Sequence, residues 1–320
     1  MRHRRTKITL VVVAVILLLL AFAVYLRKKA PPEAARLLPE SDGIVYINLR
    51  PLRAATHFDK RPVQHDPDYQ KFIDETGIQF ERDLDEVAFA LHRMPDPSGP
   101  NGPVAFSEVF VGHFDGRKLT KFLEDEARSQ ESYAGHTIYS IPSEGRTVRV
   151  ALLGYDMVAA SNTPTAEQIH SILDRYRSAA LPFSGSSLLS EHYEDVPLLS
   201  LAWGIGQIGL PFGDSSGIQV LGVRLPVTYD STFVASLRWT GALHLRVEEI
   251  APTEGEAAAS AESVQTLVGL FKAEQPDPEW KPVLDSIKIE HHKDRAVLRA
   301  TLPNSFFEKL MDPGTLQAPR

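Results

Sequence analysis

The sequence predicts an α+β fold: an N-terminal transmembrane helix followed by antiparallel sheets with packed helices, arranged in two similar halves. Three observations carry that expectation. Residues 8–26, ITLVVVAVILLLLAFAVYL, form an apolar run without a single charge. Beyond it, strand-like alternation recurs in segments joined mainly by short turns, with helical patterns between them. Past about residue 228 the same strand–strand–helix rhythm starts again.

As a helix the apolar run spans roughly 28 Å, close to the hydrocarbon thickness of a bilayer. Ala21-Phe22-Ala23 has the small-x-small form of a signal-peptidase site. The run continues to Leu26, however, and then meets Arg27-Lys28-Lys29, which favours an uncleaved anchor. Four basic side chains precede it and three follow, so the positive-inside rule places the N-terminus in the cytoplasm and the body in the periplasm or cell exterior. The expected address is the bacterial inner membrane, single-pass, with the lipid bilayer as partner through residues 8–26. The expected organisation is a tail and anchor over 1–29, a first α+β half over 30–228 and a second over 229–320.

After the anchor, APPEAAR (30–36) reads as a tether. In LLPESDGIVYINLRPLR (37–53), Ile44, Tyr46 and Asn48 alternate with Val45, Ile47 and Leu49, apolar on both faces, which marks a central strand that Pro51 ends. A short helix is expected over Asp68–Thr76, then strands at EVAFALHR (86–93) and EVFVGHF (108–114), separated by the proline-rich loop 94–103. Asp115 is placed to cap a helix whose buried stripe is Leu119, Phe122 and Leu123. Strands follow around His136–Ile141, Thr147–Leu153 and Met157–Ala160. Thr163-Pro164 then opens a helix facing inward through Ile169, Ile172, Leu173 and Tyr176. Val196–Trp203 reads as a strand. Phe233 to Val247 reads as an amphipathic hairpin turning at Thr240-Gly241. A helix within Glu254–Glu274, a hairpin turning at HHKD (291–294) and a helix bearing Phe306, Phe307, Leu310 and Met311 complete the chain.

Charge narrows the function. Seven of the 34 basic residues lie in the first 29 positions, which hold none of the 41 acidic ones, so the rest of the chain carries a formal charge of about −14. Phosphate backbones repel such a body, and nucleic acid is not an expected partner. The absence of cysteine excludes disulfides and thiolate chemistry.

The phrase LLPESDGIVYINLRPLR resembles the ectodomain opening of uncharacterised bacterial membrane-anchored proteins of the DUF3352-like kind. GHTIYSIPSEGRTVRVALLGYDMVAASNTPTAEQIHSIL (135–173) resembles their strand–strand–helix unit, and FVASLRWTGALHLRVEEI (233–250) their late hairpin. The resemblance implies an envelope location and an α+β ectodomain. It carries no activity and no catalytic residues.

Candidate chemistry is sparse. Gly213-Asp214-Ser215-Ser216-Gly217 satisfies G-x-S-x-G, but a nucleophile elbow needs a strand before the serine and a helix after it. The residues downstream of Ser215 look extended, so a loop is the expectation and a serine hydrolase using Ser215 the alternative. His291-His292 would point to opposite faces of a strand. His65-Asp66-Pro67-Asp68 fits no calcium loop and suits a helix cap. The acid pairs Glu248-Glu249 and Asp83/Asp85 read as solvated surface, and GIGQIGLPFG (204–213) as a flexible crossing. No catalytic, cofactor or metal set is assigned. The expected function is a non-enzymatic acidic ectodomain that binds or scaffolds, with an envelope protein or a lipid or polymer as partner.

Overall fold

The computed structural model describes residues 30–60, 65–99, 102–143, 145–178, 185–207, 218–220, 223–225, 230–274 and 280–303. Residues 30–36, expected to be a tether, run into the first helix, α1 (Glu33–Leu37), whose Ala34, Ala35 and Leu37 are buried. Strand β1 (Gly43–Asn48) follows. It ends where the Asn48 side chain accepts a hydrogen bond from Arg50 N at 3.1 Å and opens helix α2 (Leu49–Thr56). Pro51 therefore stands in the first turn of a helix, where its missing N–H has no partner to lose.

Helix α3 (Pro67–Thr76) is capped by Asp66, which accepts from Tyr69 N at 2.9 Å. The short α4 (Phe80–Asp83) leads into β2 (Leu84–Arg93), and β3 (Val104–Gly112) returns beside it. Asp115 caps α5 (Gly116–Glu126) through Arg117 N and Lys118 N. A meander of β4 (Ser129–Tyr133), β5 (His136–Ser143), β6 (Arg146–Leu152) and β7 (Met157–Ser161) comes next. Helix α6 (Glu167–Ser178) starts later than Thr163-Pro164 suggests, and α7 (Ser187–His192) runs into a 3-10 turn at Tyr193–Asp195.

Strand β8 is Ala202–Gln207, not Val196–Trp203, because Leu199 takes a left-handed φ of 63° that no strand accommodates. The ribbon β9 (Ile218–Val220) and β10 (Val223–Leu225) precedes the hairpin of β11 (Thr232–Trp239) and β12 (Leu243–Ile250). Helix α8 (Glu254–Ala273), the short α9 (Lys281–Ser286) and the hairpin of β13 (Lys288–His292) and β14 (Arg295–Leu302) complete the described fold. The helix expected around Phe306 and Met311 lies outside the described residues.

Twelve strands form one antiparallel sheet in the order β13-β14-β12-β11-β8-β1-β2-β3-β7-β6-β5-β4. The sheet crosses residue 228 without a break, since β8 pairs with β1 on one side and β11 on the other. GIGQ (204–207) is thus central strand and not a flexible crossing. A Cβ on Gly206 would lie 2.9 Å from Gly43 Cα, so glycine there is what lets β8 and β1 approach. One face carries the main core: Ile44, Tyr46, Ala88, Ala90, Val109, Ala159, Trp203 and Val234 pack with Ile169, Ile172 and Leu173 of α6. The other face meets α3 and α5 at one end through Phe72, Leu119, Phe122 and Leu123. At the far end Ala257 and Ala261 of α8 pack near Ile289 and Ala296.

The strands of both expected halves join one continuous sheet, with a small separate ribbon. One part of the expected fold class is corrected. No helix among the described residues is long and apolar enough to cross a membrane. The longest, α8, holds Glu254, Glu256, Glu262 and Lys272, charges a bilayer interior would not accept. Residues 8–26 lie outside the described residues. The bilayer partner, the single-pass inner-membrane address and the periplasmic body rested on that span and have no support in the described structure.

Candidate functional site

A cleft of about 470 Å³ opens where β1 and β3 end and β2 and β7 begin, lined by Arg50, Asp85, His113, Phe114, Tyr155 and Asp156 among others. Its base is a β-bulge. The β2–β3 register shifts between Leu84 and Glu86, which leaves Asp85 out of the ladder. The Asp85 carboxylate is buried, 3% exposed. Arg53 Nη1 donates to its Oδ1 at 3.0 Å, while Arg50 Nη2 at 3.0 Å and His113 Nδ1 at 3.5 Å both face Oδ2. Arg53 is itself fixed, donating Nε to the Glu81 carbonyl at 3.0 Å and Nη2 to the Leu84 carbonyl.

The opposite wall is held by backbone. Gly112 N donates to Asp156 O and His113 N to Asp83 O, each at 2.8 Å. A Cβ on Gly112 would stand 2.3 Å from the Asp83 carbonyl, so the close pass of β3 over the bulge requires glycine. Tyr155 sits on the turn between β6 and β7, after Gly154 with φ 116°, and is 97% exposed. The Arg50 and His113 side chains are 59% and 81% exposed. Asp115 is occupied in capping α5, whereas no hydrogen bond or ion pair engages the Asp156 carboxylate among the described residues.

A second cleft, about 490 Å³, lies along α6 beside Glu167, His170, Asp174 and Arg175. Its His170, Asp174 and Arg175 side chains already have protein partners. His170 meets Glu131 at 2.9 Å and stacks on Tyr133, the Tyr133 hydroxyl donates to Asp174 at 2.9 Å, and Arg175 donates to Glu40 at 2.9 Å. A third cluster is a buried relay in which His92 Nε2, Ser107 Oγ, Ser161 Oγ and Thr163 Oγ1 follow one another at 2.9, 3.1 and 2.9 Å. Burial holds the His92 imidazole below its usual range against the opposing pull of Asp42. Ser107 is 0% exposed, so this serine–histidine contact is closed to substrate and serves to satisfy polar groups inside the sheet.

The residues singled out from sequence are not brought together. Ser215 and its glycines lie outside the described residues, and nothing supports a serine-hydrolase site. His291 and His292 are exposed on β13, and the turn itself is Lys293-Asp294. No group of three potential ligands able to hold a metal occurs among the described residues. The acid pairs, expected on solvated surface, are the larger correction. Asp85, Glu248 and Glu249 are all buried. Asp83 has partners of its own. Burial pushes its carboxyl up, but the hydrogen bonds from Arg82 and from Gln79 N prevail and hold it below its ordinary value.

Glu108 on β3 is a further acid that sequence reasoning passed over. It faces Phe89 and Ala160 across the sheet, between Phe106 and Phe110 on its own strand. Burial raises its carboxyl to about 7. The folded chain therefore retains a proton that the unfolded chain gives up near pH 4.5, so the stability this protonation contributes falls as pH rises through that window and is fully lost above about pH 7. Glu108→Gln is expected to raise stability at pH 8, by at most about 3 kcal/mol, and to leave it nearly unchanged at pH 4. Urea midpoints at the two pH values check this; an equal shift at both would refute it.

No family model matches this chain, and no curated protein does. Solved structures of TP0453 are similar at low identity. Crystal form IV shares 12% identity over 88% of this chain and 96% of that one, with a TM-score of 0.49. Crystal form III shares 10% over 88% and 98%, with a TM-score of 0.48. Likeness at that level assigns no function.

Proposed function

We propose that this acidic α+β chain is a non-enzymatic binding domain whose ligand sits in the cleft between Arg50, His113, Tyr155 and Asp156. The carrying observation is Tyr155, almost wholly exposed on a cleft where the Arg50 guanidinium and the His113 imidazole converge on one buried carboxylate oxygen. Exposed tyrosine and arginine are the side chains that dominate binding surfaces. The Asp85 bulge and the Gly112 pass hold the site's base in place before any ligand arrives, which lowers the ordering cost of binding. His113 offers an oriented imidazole, but the lining contains no serine, threonine, cysteine or lysine for it to activate, which favours binding over covalent catalysis. The likeness to DUF3352-like proteins is compatible with this reading and adds no activity.

A fragment screen followed by amide NMR tests the reading. Hits are expected to shift the amides of Gly112–Asp115 and Gly154–Asp156 and to lose about tenfold or more in affinity in Tyr155→Ala. Hits that map elsewhere, or that bind Tyr155→Ala unchanged, would place function outside the cleft.

A further inference from the structure

We infer that the ligand of this cleft is a zwitterion, a free α-amino acid with an aromatic or large apolar side chain; this rests on the binding reading above. Arg50 Nη2 and His113 Nδ1 approach the same oxygen of Asp85, so the guanidinium and the imidazole stand side by side at the base of the cleft. That pair suits one carboxylate, received by Arg50 in the planar geometry that guanidinium groups favour. Asp85 behind them offsets one of the two charges of Arg50 and Arg53, so the base keeps a net positive charge that favours an anionic group.

Across the cleft Asp156 is exposed and its carboxylate is unengaged, whereas Asp115 is spent on the cap of α5. An acid on that wall repels a phosphate or sulfate dianion and attracts an ammonium. A neutral sugar would leave Asp156 without a charged partner and the excess positive charge of the base unmatched. Phe114 and Tyr155 supply the apolar wall that a ligand side chain would cover. The cleft volume, about 470 Å³, accommodates an amino acid of the size of phenylalanine.

The experiment uses four probes of one shape: L-phenylalanine, its N-acetyl derivative, its amide and the doubly blocked N-acetyl amide. Affinity comes from titration calorimetry and location from the amide shifts of Gly112–Asp115 and Tyr155. Phenylalanine is expected to bind about tenfold or more tightly than any blocked form. Arg50→Gln should erase the preference over the amide, and Asp156→Asn the preference over the N-acetyl form. Both side chains are exposed, and circular dichroism confirms that the variants stay folded. If a blocked probe, inorganic phosphate or methyl glucoside shifts those amides as strongly as phenylalanine, the zwitterion assignment fails while the cleft stands. If neither these probes nor any fragment hit shifts them, both fail together.

Discussion

Replacing Asp85 with alanine is expected to lower the unfolding free energy by about 3–5 kcal/mol, the range for removing one member of a buried ion pair. The carboxylate is the shared acceptor of Arg53 and Arg50 and also faces His113. Arg50 is mostly exposed and can turn to water once its partner is gone. Arg53 cannot follow, because its Nε and Nη2 stay bound to the Glu81 and Leu84 carbonyls and its side chain is only 17% exposed. The cost therefore comes chiefly from Arg53, left charged and short of an acceptor at the bulge. Arg50→Ala removes only a screened pair and should cost less than about 1 kcal/mol. Asp85→Asn keeps an acceptor for Arg53 and should fall between the two. Urea unfolding of the three variants gives the ranking; Asp85→Ala within about 0.5 kcal/mol of the parent, or no costlier than Arg50→Ala, would show that the bulge does not depend on this carboxylate.

Most secondary structure was legible because local patterns impose it. Alternation located β2, β3 and the β11–β12 hairpin, and the i, i+3, i+4 stripes located α5, α6 and α8. The joining of both parts into one sheet was not legible. It depends on β8 lying between β1 and β11, and the residues that permit it, Gly204 and Gly206, look from sequence like a flexible linker. The APPEAAR stretch failed for a related reason, since two buried alanines carry too little apolar signal to reveal a helix packed on a core.

The site was hidden for a different physical reason. Asp85 reaches the candidate site only because a bulge, visible solely in the β2–β3 register, turns it toward Arg50 and Arg53 of another element. Two local signals were available: in EVFVGHFD the alternation breaks at Gly112-His113, and LGYD sets a tyrosine on a turn tip. The adjacent acids Glu248 and Glu249 misled because alternation on a strand sends them to opposite faces. Both faces of β12 are covered, so both acids are buried, each with its own partners.

The partners of Glu248 make the other large expected effect. Glu248→Ala should cost about 3 kcal/mol or more. The side chain is 2% exposed on β12; its Oε1 accepts from Arg295 Nη1 at 3.0 Å, and Oε2 lies 2.7 Å from Arg246 Nη1 as an ion pair without hydrogen-bond alignment. Arg295 also donates to Asp195 at 2.6 Å, and Arg246 to the Asp195 carbonyl at 3.3 Å. The hydrogen bond to Asp195, followed by that to Glu248, holds the Arg295 guanidinium above its ordinary value despite burial. Through this set, the 3-10 turn at Tyr193–Asp195 is tied to β12 and β14. After Glu248→Ala, Arg295 keeps Asp195, but Arg246 retains only a carbonyl at the long end of hydrogen-bond distance. Arg246 therefore bears most of the loss. Replacing both by leucine removes the charge together with its partner, and should cost less than the summed effects of Glu248→Leu and Arg246→Leu by about 1 kcal/mol or more. A double-mutant cycle from chemical denaturation measures that difference. Strict additivity would mean that Arg246 does not depend on Glu248, its bond to the Asp195 carbonyl being sufficient for it.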